Sequence, residues 1–365
     1  MIPRLTANPS RLDRTAAACS AVALLALLAS ASSCGGRTDV GVGTEGGGAA
    51  AGGSSSGGDG ASAGAASTPG RPPSCQGAPP GAGFDCGQEQ TLDCCAVASV
   101  PGGNFNRKND SAYPATVSAF GLDILEVSVG RFRQFVNAFP TSRPKLGDGA
   151  NPHLPDSGWT NEMDALLPLS SHDLQSMLRC SNYFPQNVPP PAQDIVWSEQ
   201  PGDSERAAMS CAPWVVFFAF CAWDGGRLPT LTEWQFAAVG GGEQRTFPWG
   251  EQPPDATRAT LFGSPQGARS WVGLTPQGAG KWGHRDMVGN RAELLFEFTS
   301  ENSEPVYPVP CNDCANTVVP SHEKRMSIDV GFDQPPPADS FNTNPVFMTD
   351  SMGTTETGVR CARNL

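Results

Sequence analysis

The sequence predicts an α+β domain with sparse secondary structure, braced by disulfides and buried tryptophans and carried behind an export signal and a flexible tether. Three observations predict it. Helix-length apolar patterns alternate with short strand-like runs, proline, glycine and tryptophan dominate beyond residue 243, and the cysteines outside the leader form an even set of ten. The 365 residues include 42 glycines and 34 prolines, about a fifth of the chain, where an average chain holds nearer ~12%. The glycine excess is bunched before residue 83, which leaves one folded body. With 36 acidic and 24 basic side chains the formal charge is -12. No diffuse cationic field is available for a phosphate backbone, so nucleic acid is excluded as the expected partner.

Residues 1–34 read as a signal peptide. Arg4, Arg11 and Arg14 form a positive segment, and Ala16 to Ala31 is nearly all Ala, Leu and Val, too short for a comfortable membrane span of ~20 residues. Ala31-Ser32-Ser33-Cys34 sets small residues before a cysteine, as in a bacterial lipoprotein cleavage site, which makes Cys34 the expected lipidation residue. The Leu or Val usual three residues before the cysteine is missing, and ordinary cleavage nearby or an uncleaved anchor are the alternatives. The expected localisation is export to a bacterial cell envelope, lipid-anchored or periplasmic or extracellular, with the membrane reached through the anchor. Residues 35–74, built of Gly, Ala, Ser and Pro, cannot bury enough apolar surface to offset the entropy of ordering them. They read as a tether whose reach grows as ~5–6 Å × √n. Its glycines do not form a phosphate-cradling loop, because no strand precedes them and no amphipathic helix follows.

Residues 75–96 form a cysteine-rich lead-in, and residues 97–365 the main domain. The ten cysteines are Cys75, Cys86, Cys94, Cys95, Cys180, Cys211, Cys221, Cys311, Cys314 and Cys361, and in an oxidising compartment they read as structural bridges. A zinc site would need a second pair at finger spacing, and His153, His172, His284 and His322 are scattered. Cys311-Asn312-Asp313-Cys314 also has the spacing of a redox dithiol, but the Asp313 charge between the sulfurs is expected to oppose thiolate formation.

Val97 to Phe105 reads as a strand broken by a Pro-Gly-Gly turn, and Ala115 to Phe120 as a second strand. Val129, Phe132, Phe135, Val136 and Phe139 then share one face of a helix capped by Ser128 and stopped by Pro140. A second helix, Pro213 through Trp223, is apolar nearly all round and therefore buried. Thr230-Leu231-Thr232-Glu233 has the spacing of a capping box opening a third helix, ended by Gly240-Gly241-Gly242. Glu233 reads as that cap, worth ~1 kcal/mol, in preference to a catalytic acid.

Five segments in order carry a family resemblance. They are Val100-Pro101-Gly102-Gly103-Asn104-Phe105, Glu126 to Phe132, Arg227 to Ala238 with Phe247-Pro248-Trp249-Gly250, Asp286-Met287-Val288-Gly289-Asn290, and Gly358 to Arg363. Together they resemble the formylglycine-generating, sulfatase-modifying factor family. The resemblance covers about residues 97 to 363 and implies a C-type-lectin-like α+β fold, with a bridge between Cys221 and Cys361. It also implies that Asn290 and Glu293 help bind a structural Ca²⁺, although the tryptophans that normally flank the family's glutamate are absent here.

The family's copper-dependent oxidases use two cysteines just after an Arg-Gly-Gly-Ser-Phe strand. Lys324 to Phe332 corresponds to that strand, and the residues that follow, Asp333 to Asp339, contain no cysteine. Cys311 and Cys314 fall before it. The iron branches of the family draw histidine ligands from an additional helical domain that this chain lacks. No catalytic residue is therefore assigned, since a soft copper site needs paired thiolates. The expected function is a surface-tethered, non-catalytic member that binds a protein or glycan partner, with Leu146 to Gln200 as its recognition surface and Cys180 to Cys211 as that insertion's staple. The alternative is an oxygen- and metal-dependent oxidase acting on a cysteine-containing substrate, with copper as its cofactor. A structural envelope component without a specific ligand completes the set.

Overall fold

The computed structural model describes residues 70–179, 196–261, 270–302, 305–319, 321, 324–328, 347–349, 354–355 and 357–365. The signal peptide, Cys34, most of the tether, Cys180 and the stretch after Ile328 that corresponds to the family's cysteine pair lie outside them. Residues just before the lead-in at 75 make fixed contacts with it. Arg71 pairs with Asp93 at 2.6 Å, Ser74 is buried, and its amide donates to Asp224 at 2.9 Å. A 3₁₀ turn over Pro73–Cys75 is drawn in because Cys75 bridges to Cys95, beside a second bridge joining Cys86 and Cys94.

The first strand pattern splits into β1, Val97–Val100, and β2, Gly103–Asn106; the second into β3, Pro114–Val117, and β4, Phe120–Asp123. These strands do not form one meander. β1 pairs antiparallel with β4, whose other edge takes the late strand β10, Ala362–Arg363. β2 pairs with β3, which is joined by β6, Cys311–Asn312. A third sheet has the order β8-β7-β5-β9, built from Phe347–Thr349, Lys324–Ile328, Ala292–Phe298 and Thr357–Gly358. The Pro-Gly-Gly turn thus sends the chain from one sheet to the next.

Helix α1 spans Val129–Ala138, and the Ser128 hydroxyl accepts from the Arg131 amide at 3.2 Å as the cap. Its first turn approaches the lead-in so closely that a Cβ on Gly130 would stand 2.0 Å from the Pro80 carbonyl oxygen. Two short helices absent from the sequence expectation, α2 over Asn161–Leu166 and α3 over Ser171–Met177, fold the insertion. Helix α4, Trp214–Trp223, has Pro213 just outside its first turn, and all its residues but the last are buried. Phe132 of α1 stacks on Phe220 of α4 with ring centroids 5.2 Å apart. Each such buried aromatic contributes roughly 1.5–3 kcal/mol over its exposed state. Helix α5, Leu231–Ala238, has the complete capping box: the Thr230 hydroxyl accepts from the Glu233 amide, and the Glu233 carboxylate from the Thr230 amide.

Cys221 near the end of α4 is bridged to Cys361, 140 residues later. Replacing both with serine should lower stability by about 2–5 kcal/mol, because the unfolded chain regains the freedom of that long loop. The urea midpoint without reductant measures this, and an unchanged midpoint would show that the bridge does not constrain the unfolded chain.

Candidate functional site

Beneath the Asp286 to Asn290 loop lies a layer of buried charge. Arg360 sends Nε and Nη2 to Glu293 at 2.8 and 2.6 Å, and the Trp234 indole donates to the same carboxylate at 2.7 Å. Glu126 accepts from the Asn290 side-chain amide and from the Arg291 backbone at 3.0 Å. Burial, with the charges of Asp286 and Glu293 nearby, pushes Glu126 well above the usual carboxylate range. Asn290 and Glu293 are therefore both buried but serve different partners. A divalent cation at Glu293 would lie against the Arg360 guanidinium, which already supplies the positive charge that a metal would bring to that carboxylate, whereas the Asn290 side-chain oxygen is buried without a hydrogen-bond partner.

The sulfur ligands are committed as well. All nine described cysteines are disulfide-bonded; Cys311 bridges to Cys314, while Cys180, the expected partner of Cys211, lies outside the described residues. The grouping of Asp85 with Cys86 and Cys94 offers no thiolate, because those two sulfurs share a bridge. No soft site for copper is available among these residues.

What the fold does build is a cleft of about 510 Å³ between the insertion and the third sheet. Thr160 caps α2, its hydroxyl accepting from the Met163 amide at 3.3 Å, and so turns Glu162, Met163 and Leu166 onto one wall. The opposite wall carries Trp214 of α4, Phe296 and Phe298 of β5, and Arg325 of β7. The Arg325 guanidinium carbon lies 3.5 Å from the Trp214 ring centroid and 3.4 Å from that of Phe298, a cation held between two π faces. Its Nη1 donates to the Phe296 carbonyl at 2.9 Å. Leu166 and Val319 line the cleft and are 65% and 56% exposed, so apolar surface continues out of its mouth. Asp156 and Glu162 also line it, and hydrogen bonds from its own backbone and Thr160 hold Glu162 below the usual carboxylate range. The insertion thus supplies one wall of a concave surface, with apolar contacts and anionic carboxylates. Arg325 and the two phenylalanines were missed by the sequence reading. Their signal is the run Ala292 to Phe298, a seven-residue strand whose aromatic residues follow the motif at Asn290.

The model of the sulfatase-modifying factor enzyme 1-like domain matches residues 85–365, and the chain belongs to that family. Among curated proteins it is similar to the inactive C-alpha-formylglycine-generating enzyme 2 of Mus musculus, 26% identical over 235 residues that span 58% of this chain and 70% of that protein. It is also similar to the formylglycine-generating enzyme of Mycobacterium tuberculosis, 27% identical over 251 residues covering 61% of this chain and 80% of that enzyme. Among solved structures, PvdO from Pseudomonas aeruginosa overlays with a TM-score of 0.49 at 17% identity, covering 74% of this chain and 95% of that one.

Glu297 of β5 accepts the first amide of α5, that of Leu231, at 2.8 Å, and burial pushes its carboxyl up to about 8. Asp286 rises to about 6, also by burial, while burial and then the Arg360 charge depress His284 to about 3. A raised carboxyl stabilises the fold fully below its unfolded value and loses that contribution as pH rises through the folded value; the depressed histidine acts in the opposite sense, below about pH 6.5. Between about pH 6.5 and 8 the Glu297 effect remains, and the raised Glu126 acts in the same sense, so stability should fall as pH rises there. Glu297→Gln should flatten that fall in a series of urea midpoints, and an unaltered slope would mean that Glu297 titrates at its ordinary value.

Proposed function

We propose that this chain is a non-catalytic binding member of its family, exported and tethered to a surface, which holds a segment of a partner protein in the cleft beside Arg325. One observation carries the reading: the sequence has no cysteine between Cys314 and Cys361, where the family's oxidases need their thiolate pair. Similarity to a relative named as inactive supports it. A protein segment fits better than a glycan, because Met163, Leu166, Phe296 and Val319 give apolar walls while Asp156 and Glu162 favour a cationic group beside the apolar side chain. Binding here would draw on a small buried apolar core with charged residues at its margin.

Two measurements test this on the purified full chain. Oxygen uptake and copper retention are followed with Cu(I) and a cysteine-containing peptide; no turnover and no stoichiometric copper are expected, and sub-micromolar copper with oxygen consumption would establish the oxidase instead. A displayed peptide library is then selected against the protein, alongside a glycan array. The selected peptides should pair an apolar residue with Lys or Arg, and Leu166→Asp or Val319→Asp should weaken them at least tenfold with the melting temperature unchanged. Binding confined to glycans, or peptides indifferent to both substitutions, would overturn the choice of partner.

A further inference from the structure

We infer that Cys311–Cys314 is a redox-active disulfide, exchanging with external dithiols through a Cys314 thiolate held against the Arg107 guanidinium. The cleft at Arg325 plays no part in it.

Arg107 follows β2 and is 1% exposed. Its Nη2 donates to the Pro308 carbonyl at 2.6 Å, its Nε to the Tyr113 carbonyl at 3.4 Å, and its Nη1 points at Cys314 Sγ, also 3.4 Å away. Among the described residues no carboxylate pairs with it, in contrast to buried Arg131, Arg133, Arg227 and Arg360, each of which has one. A buried guanidinium without a paired anion is costly. The Tyr307 ring lies 5.4 Å from its carbon and Glu297 acts on it through charge, but burial pushes the Tyr307 phenol up to about 12 and the Glu297 carboxyl up to about 8, so of the groups in hydrogen-bond reach of Arg107 the Cys314 sulfur is the one left to become an anion. The Asp313 charge, expected from the sequence to oppose this, is taken up elsewhere: its carboxylate accepts from the Ser118 amide at 2.6 Å and the Ser118 hydroxyl at 2.7 Å. The Thr232 hydroxyl lies 3.8 Å from both sulfurs. Cys311 is buried and Cys314 partly exposed, the asymmetry expected of a resolving and an attacked sulfur. A cleft of about 510 Å³ opens beside the bridge, lined by Phe105, Asn106, Pro310 and Cys311, among others.

The exchange balances with a dithiol as reductant. One of its thiolates attacks Cys314 Sγ, the bond between the two cysteine sulfurs breaks, and Cys311 leaves as a thiolate that takes up a proton. The reductant's second thiol then attacks its own sulfur in the mixed disulfide, loses its proton to solvent, and releases Cys314 as a thiolate beside Arg107. Two electrons pass to the protein and the dithiol becomes a disulfide.

The test uses the folded full chain, graded dithiothreitol and glutathione redox buffers, alkylation, and peptide mass spectrometry. Cys311 and Cys314 should be labelled at reductant levels that leave Cys221–Cys361 closed. In the reduced protein, iodoacetamide alkylation of Cys314 should have its pH midpoint at least about one unit below the ordinary thiol value of ~8.5. Arg107→Met should move that midpoint back up and, in buffers above both midpoints, shift the exchange equilibrium about tenfold toward the disulfide. Arg107→Lys, which keeps the charge, should preserve most of the effect, and Asp313→Asn should change little. Should Arg107→Met not fold, the wild-type midpoint and the other two variants decide. A bridge that opens only together with the others, or a folded wild-type midpoint at the ordinary value, would overturn the inference.

Discussion

The fork of Arg360 on Glu293 is the constraint around which the rest of this fold is arranged. Taking both ions out of water carries a penalty of several kcal/mol each, which their attraction offsets only when every remaining donor is also satisfied. Here the condition is met: Nη1 reaches the carbonyls of Asp123 and Ile124 at 3.2 and 3.0 Å, and Nη2 that of Arg285 at 2.8 Å. One side chain thereby fixes the end of β4, the segment before the late loop and the start of β5. A second hub repeats the logic around α1, where Arg131 reaches Asp123 at 2.9 Å and Asp224 at 2.7 Å. Arg363 joins the same two carboxylates. Burial raises the Asp123 carboxyl, but the Arg363 and Arg131 charges outweigh it and bring it below the usual range. In a domain with short strands and few long helices, such ion pairs and the bridges do much of the work that long hydrogen-bonded ladders do elsewhere.

Those internal ties separate family membership from family chemistry. The residues that make the chain recognisable, among them Arg227, Glu233, Glu293 and Arg360, are structural: Arg227 pairs with Glu233 at 2.5 Å inside the capping box, and Arg360 with Glu293. A scaffold can keep all of these while its reactive sulfurs are lost, since one fold hosts unrelated activities. The cleft beside Arg325, by contrast, takes one wall from the insertion, whose Trp159, Leu167 and Leu174 also belong to the main core.

The helices were legible in the sequence where local rules decide. The capping box at Thr230 and Glu233 and the apolar face from Val129 onward need only neighbours within a few residues. The helices α2 and α3 were missed because their signals are caps alone, Thr160 and Ser170, with no apolar period behind them; α2 buries nothing and α3 only Leu174. Strand pairing was illegible for a different reason. β4 meets β10, and β3 meets β6, across some two hundred residues, and no local pattern encodes such a partner. The same distance hid the environment of Arg107, whose carbonyl partner at Pro308 is 201 residues away. Asn290 and Glu293 could be picked out by motif, but their actual partners, Glu126 and Arg360, depend on the assembled core.

Helix α4 has a consequence for the order in which the molecule is made. Its apolar surface has no polar side to leave in water, yet Val359 and Cys361, which belong to the core around it, are synthesised well over a hundred residues later. A chain emerging from the ribosome can cover part of that surface with the earlier-made α1 and Trp159, but the rest stays open for seconds, at ordinary elongation rates, before the closing segment can seal it. Completion of this core therefore waits on the closing strand, and the Cys221–Cys361 bridge can form only once that strand has been made.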